Sequence, residues 1–232
     1  MPRVVKHPEI RREELLGIAA KLFARAGYDA TSVDDIIREA GLSKGAFYHY
    51  YPSKEALLEA LASRSAQQAL QGLVDVFTDP EMTAIQRLNA FLARGRHRDE
   101  GASNVAVFAA IFRPENLPLY HRLHAAVTRV MVPPLARIIE QGVREGSMKS
   151  DYPATTAGIV LSLGAVTHDA VADLIAAQDR GALMAALAAF QTRLRQQGIA
   201  VDRILGLPDE TIVFWDPQLA EQWLDALPAA PS

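Results

Sequence analysis

Residues 31–54 constrain this chain more than any other stretch: Thr-Ser-Val-Asp-Asp-Ile-Ile-Arg-Glu-Ala-Gly-Leu-Ser-Lys-Gly-Ala-Phe-Tyr-His-Tyr-Tyr-Pro-Ser-Lys. Helix starts and stops alternate through it. Thr31 or Ser32 caps a first helix, with Asp34 and Asp35 at its positive end. Ile36, Ile37 and Ala40 supply its buried side. Gly41 ends it, because the turn calls for a positive φ that glycine adopts at least cost. Ser43 then caps a helix of about seven residues that Pro52 stops, and Ser53 caps the next. Helices this short do not persist alone, so they must pack on each other and on their flanks. The layout is that of a helix-turn-helix, whose second helix enters a DNA groove.

On a helical projection of residues 44–51, Phe47 and Tyr51 share one side, fit for packing on Ile37 and Leu22. Lys44, Gly45, Tyr48 and His49 fall largely on the other. Gly45 and Ala46 allow close backbone approach, and Lys44 brings positive charge. Tyr48 and His49 bring hydrogen bonds and flat apolar surface for a thymine methyl. Tyr50 and Lys54 are placed for phosphates, as are the free N–H groups near Ser32 and Ser43.

The rest of the chain is helical in pattern. Glu9 to Ala26 carries one apolar stripe, with Pro8 suited to its first turn and Gly27 to its stop. A helix from Ser53 to about Phe77 comes next, then runs near 83–98, 103–113 and 116–146, with a kink or break at Pro133-Pro134. Apolar helices over 153–177 and 181–197 come after these, and a tail from Ile199 packs on the body through Phe214 and Trp215. The fold class is all-α. The expected division is a three-helix DNA-binding domain at 1–54, an effector-binding and dimerisation domain at 55–198, and the tail at 199–232.

Of the 232 residues half are hydrophobic, enough for a sizeable core, and none is cysteine, which excludes disulfides and thiolate metal sites. Net charge is −3, but residues 1–54 hold nine Lys/Arg against seven Asp/Glu, and the remainder fifteen against twenty. A mildly basic head on an acidic body still suits DNA if its cations share one surface. Met1 to Pro8 shows no signal peptide, and no stretch has the roughly eighteen uninterrupted apolar residues of a membrane helix. A cytoplasmic protein is expected.

The segment resembles the N-terminal domain of the TetR family of bacterial transcriptional regulators. The likeness spans about residues 9–60. It is densest at Ala24-Arg25-Ala26-Gly27-Tyr28, Thr31-Ser32-Val33, Ile36 to Gly45 and Phe47 to Leu57. It implies a homodimer on a near-palindromic double-stranded DNA operator, and repression released by a small-molecule effector bound in the C-terminal domain. By the resemblance, Lys44, Gly45, Tyr48, His49, Tyr50 and Lys54 face DNA, and Thr31, Ser32 and Val33 touch phosphate. Tyr51 departs from the family's more usual phenylalanine, and its hydroxyl is expected at the domain's edge.

The body carries no motif of like specificity. Phe91, Asn104, Phe108, Phe112, Tyr120, His124, Thr128 and Met131 are candidates to line an apolar, aromatic effector site, against the plainer alternative that they fill the core. The small residues Ala157, Gly158, Ser162, Gly164 and Ala165 let helices approach closely. With 181–197, the helix at 153–177 resembles the family's dimer-forming pair. His121 and His124 are weak metal candidates, the run Arg94, Arg96, His97 and Arg98 reads as a solvated helix end, and His168-Asp169 is too little for a metal hydrolase. No phosphate loop, nucleophile elbow or zinc spacing is present. No cofactor, metal or catalytic activity is expected. The rival functions are an activator or effector-independent DNA-binding protein and, more remotely, an all-helical enzyme.

Overall fold

The computed structural model describes residues 7–94, 111–113 and 116–214, and among these there is no strand. The helices are α1 (Pro8–Ala26), α2 (Val33–Ala40), α3 (Lys44–Tyr50), α4 (Lys54–Gln71), α5 (Val74–Thr78), α6 (Ala84–Arg94), α7 (Leu117–Arg144), α8 (Pro153–Ser162), α9 (His168–Ala176) and α10 (Arg180–Leu205). They belong to two compact units, Met1–Ser65 with Glu100–Ala126, and Ala66–Asp99 with Val127–Ser232. The chain passes from one unit to the other inside α4 and again inside α7.

In the first unit α1 packs on α2, and α2 on α3. Leu15, Leu16, Ala19, Leu22 and Phe23 of α1 are buried, with Ile36 of α2, Phe47 of α3 and Leu57, Leu58 and Leu61 of α4. Arg122 of α7 pairs with Glu59 at 2.5 Å, and Arg113 with Asp29 at 3.0 Å.

The second unit differs from the sequence reading in four places. The helix expected from Ser53 to Phe77 stops at Gln71. Gly72 weakens helix locally, and Leu73, whose N–H bonds to the Leu70 carbonyl at 3.0 Å, turns into the core before α5 begins. Conversely, no break occurs at Pro133-Pro134, which lie within the unbroken α7. Each proline lacks the N–H that closes a helical bond, a cost of about 3 kcal/mol. Leu135, Ala136, Ile138 and Ile139, just beyond them, are buried in the core and hold the helix in place.

The helix expected over 153–177 is interrupted by a 3₁₀ segment, Leu163–Thr167. There Ser162 and Thr167 turn their hydroxyls back onto the carbonyls of Gly158 (2.8 Å) and Gly164 (2.7 Å), which loosens the α-helical ladder. The last helix does not end at 197: α10 runs on to Leu205 and is closed by Gly206 at φ 68°. Residues 199–205 therefore belong to this helix, not to a tail.

The segment after α10 is fastened back onto that helix. Asp202 is fully buried and accepts hydrogen bonds from the N–H groups of Thr211 (3.1 Å) and Ile212 (3.0 Å). Its burial pushes its pKa up, opposed by those same bonds. The Asn89 amide on α6 donates to the Thr211 carbonyl and accepts from the Val213 N–H, both at 3.1 Å. Phe214 packs against the core as expected, while Trp215 lies outside the described residues.

Gly198 makes the strap fit, since a Cβ there would stand 2.7 Å from the Ile212 carbonyl oxygen. Replacing a mid-helix glycine by alanine ordinarily stabilises by about 1 kcal/mol. Here the sign reverses: Gly198→Ala should lower stability by about 1–3 kcal/mol, the range for overpacking, read from urea unfolding.

Candidate nucleic-acid interface

The groove-reading element is assembled from two caps and a turn. Ser32 caps α2 with a complete capping box: its hydroxyl accepts from the Asp35 N–H at 3.1 Å, and the Asp35 carboxylate accepts from the Ser32 N–H at 2.9 Å. Hydrogen bonds from the Ser32 hydroxyl and N–H, with Arg38 adding to them, lower the Asp35 pKa to about 2. Gly41 takes the left-handed conformation at φ 61° that the turn requires. Ser43 caps α3, accepting from the Ala46 N–H at 3.2 Å.

The two faces of α3 separate as its periodicity implies. Phe47 and Tyr51 are buried, their ring centroids 6.5 Å apart. Ser43, Lys44, Gly45, Tyr48 and His49 are exposed, Tyr48 at 43%. Tyr48 leans edge-on against Phe47 at 5.3 Å, so an exposed side chain is steadied from below. Tyr50 and Val33 are half-buried, and Ser32 is exposed beside Val33 in sequence. Lys44 lies 3.9 Å from Asp34 with both side chains open to solvent, a pair too weak to withhold the lysine from a phosphate.

Three residues sit otherwise than the sequence suggested. Thr31 is 2% exposed, and its hydroxyl donates to the Gly27 carbonyl at 2.8 Å, so it closes the α1–α2 turn instead of facing outward. Lys54 is half-buried, and its ammonium donates to the carbonyls of Tyr28 (2.9 Å) and Thr31 (3.0 Å). Tyr51 does not reach the domain's edge. Its hydroxyl is buried, with the Arg12 guanidinium 5.0 Å from the ring centroid. Burial pushes the Tyr51 pKa up, against the positive charge of Arg12. In the sequence Tyr28 stands out only as part of the family resemblance and Arg12 not at all, because their partners are distant in the chain. The one available signal was the aromatic Tyr28 just ahead of the polar turn.

The candidate effector residues divide between the units. Tyr120 meets Phe112 at 5.3 Å and stacks on His124 at 6.0 Å, 17° from parallel, within the first unit. Phe91 is buried in the second unit's core, 6.4 Å from Phe77, and Met131 packs on that core. Thr128 is half-buried in the same unit. Asn104, Phe108, Arg96, His97 and Arg98 lie outside the described residues, as does the Arg94 side chain. His121 is exposed. His168 is buried, with Nδ1 3.0 Å from Asp169. Among the described residues no three His, Asp or Glu side chains gather as a metal would need.

Residues 15–61 match the family model described as bacterial regulatory proteins, tetR family, and residues 101–192 match the tetracyclin repressor-like C-terminal domain. The transcriptional repressor KstR2 of Rhodococcus jostii is 30% identical over 146 residues, 61% of this chain and 69% of that protein. The transcriptional regulator YuxN of Bacillus subtilis is 40% identical over 75 residues, 32% of this chain but 26% of YuxN. In structure the chain is similar to RolR in complex with resorcinol, at TM-score 0.58 and 19% identity, covering 97% of this chain and 96% of that one.

Proposed function

The chain belongs to the TetR family of bacterial transcriptional regulators, and we propose that it works as a homodimeric repressor released from a near-palindromic operator by a small-molecule effector. The observation that carries the reading is the two-faced α3, capped by Ser43 and anchored by Phe47, with Lys44, Gly45, Tyr48 and His49 outward. Tyr48 and His49 read base edges. Lys44, Tyr50 and the capped N-termini at Ser32–Val33 and Ser43 hold phosphates.

A helix of seven residues contacts few base pairs. Two copies one DNA turn apart double the readout, which makes dimerisation part of the function. The surface that supports it is the apolar stretch Pro153–Ala176. It is long and apolar enough by composition to cross a membrane, yet it is interrupted at Leu163–Thr167, and 29% of its most apolar window is buried. Ile159 is 50% exposed and, on α10, Met184 51%. A Cβ at Gly158 would meet nothing within 4 Å, so space for a neighbouring helix is open there. A second copy's α8–α10 covers this face as a four-helix bundle. The Phe112, Tyr120 and His124 cluster suits a partly apolar effector, since it joins aromatic surface to an imidazole. No catalytic step enters this reading.

Two experiments test it. Tyr48→Ala with His49→Ala should abolish the specific, salt-dependent shift of the chain's own upstream DNA while circular dichroism stays unchanged; retained specific binding would sink the assignment of these two residues. Ile159→Arg with Met184→Arg should convert a dimer into a monomer in analytical ultracentrifugation and weaken operator binding at least about a hundredfold, the loss of one half-site.

A further inference from the structure

The first unit holds more than a helix-turn-helix. Residues 111–113 and the first turns of α7 belong to it, and two arginines from them reach toward the turn between α1 and α2. Arg113 pairs with Asp29 of that turn at 3.0 Å. Arg122 pairs with Glu59 of α4 at 2.5 Å, and its charge also acts on Glu55, one helical turn earlier. Glu55 accepts from the Tyr28 hydroxyl at 3.4 Å. The two routes therefore end on consecutive residues, Tyr28 and Asp29. Hydrogen bonds from Ser53 and the main chain, then from Tyr28, then the Arg122 charge, hold the Glu55 carboxyl below its usual range. Burial, then the Glu55 charge, pushes the Tyr28 hydroxyl up, so acceptor and donor keep their roles at neutral pH.

The turn they reach leads into the DNA-reading element. The Thr31 N–H donates to the Tyr28 carbonyl at 3.3 Å, and Ser32, the next residue, caps α2. α2 then passes through Gly41 to α3. The segment that supplies the arginines also carries the aromatic cluster. Arg113 follows Phe112, whose ring lies 5.3 Å from Tyr120, and Tyr120 stacks on His124. Leu119, Tyr120, Leu123 and Ala126 form the buried side of α7 here. The helical period puts Arg122 and His124 on its opposite flanks. The Arg113 and Asp29 side chains are 56% and 48% exposed, so their pair adds little to stability, and its effect is on geometry.

We infer that Arg113 and Arg122 are positioning residues for operator binding: they join the Phe112–Tyr120–His124 cluster to the α1–α2 turn, so that a change at the cluster alters the stance of α2 and α3. This rests on the DNA-binding reading above. The coupling lies wholly within the first unit.

The test is operator affinity of the full-length protein on its own upstream DNA, at a temperature where every variant is folded by circular dichroism. Arg113→Gln and Asp29→Asn should each weaken binding about threefold, and together no more than either alone. Arg122→Gln and Glu59→Gln should behave in the same way. Each phosphate neutralised contributes about 0.9 to the slope of log affinity against log salt. The protein with both Arg113→Gln and Arg122→Gln should bind about tenfold more weakly with that slope unchanged. In it, amide hydrogen exchange at Thr31 and Asp35 should quicken about tenfold while the middle of α1 exchanges as before; a merely stabilising role would quicken both. Tyr120→Leu should weaken the wild-type protein about threefold and leave the protein lacking both arginines unchanged. Equal shifts in the two backgrounds, or none in either, overturn the inference. So does wild-type affinity in the arginine variants, or a slope shallower by about 0.9 for each arginine lost. In all these cases wild type still binds, so the DNA-binding reading survives. Wild type that shows no specific operator binding overturns that reading, and the inference with it. If Tyr120→Leu is not folded, His124→Leu takes its place in the same measurements.

Discussion

The burial of Phe47 is the constraint on which the DNA-reading surface depends. A helix as short as α3 cannot hold itself together, because nucleation costs more than one or two turns of hydrogen bonds return. Full burial of a phenylalanine contributes about 1.5–3 kcal/mol, enough to decide whether such a helix forms. That anchor also fixes its rotation. With Phe47 and Tyr51 inward, the helical period leaves no choice but to turn Lys44, Gly45, Tyr48 and His49 out. The exposed face, proposed above to read DNA, is therefore a consequence of the packing face, and the edge-on contact of Tyr48 with Phe47 ties the two together.

Around this anchor the polar groups do structural work first. Ser32 and Ser43 satisfy helix N-termini, and Thr31 and Lys54 close the α1–α2 turn. The second unit uses the same logic with different means. Asp202 and Asn89 use side-chain oxygens and nitrogen to seat an extended segment that has no sheet to join. In both units a few side chains with fixed hydrogen-bonding geometry place main chain that periodic structure does not reach.

Much of this was legible in the sequence where the signal is local. Caps, the Gly41 turn, the extent of α1 to α3 and the split of α3 into two faces stem from residues within one or two turns of each other. The features that were not legible depend on partners distant in the chain. Lys54 reads as a surface cation until Tyr28 is seen beneath it, 26 residues earlier. Gly198 reads as the end of a helix, because nothing nearby reveals that Ile212 needs its missing side chain. Pro133 and Pro134 read as a kink or a break, and the helix does not break there, because local propensity does not contain the buried Leu135, Ile138 and Ile139 that hold α7 continuous. The aromatic candidates for the effector site fared similarly: Phe91 went to the core, and Phe112, Tyr120 and His124 stayed together.

In the proposed function two copies of α3 enter DNA together. A chemical footprint of the protein on its own upstream DNA, at single-nucleotide resolution, tests it most directly. Two protected major-groove patches related by a dyad are expected, with centres about one or a small whole number of helical turns apart, each turn about 10 base pairs. A single protected patch, or protection spread evenly along the backbone without groove preference, would contradict it.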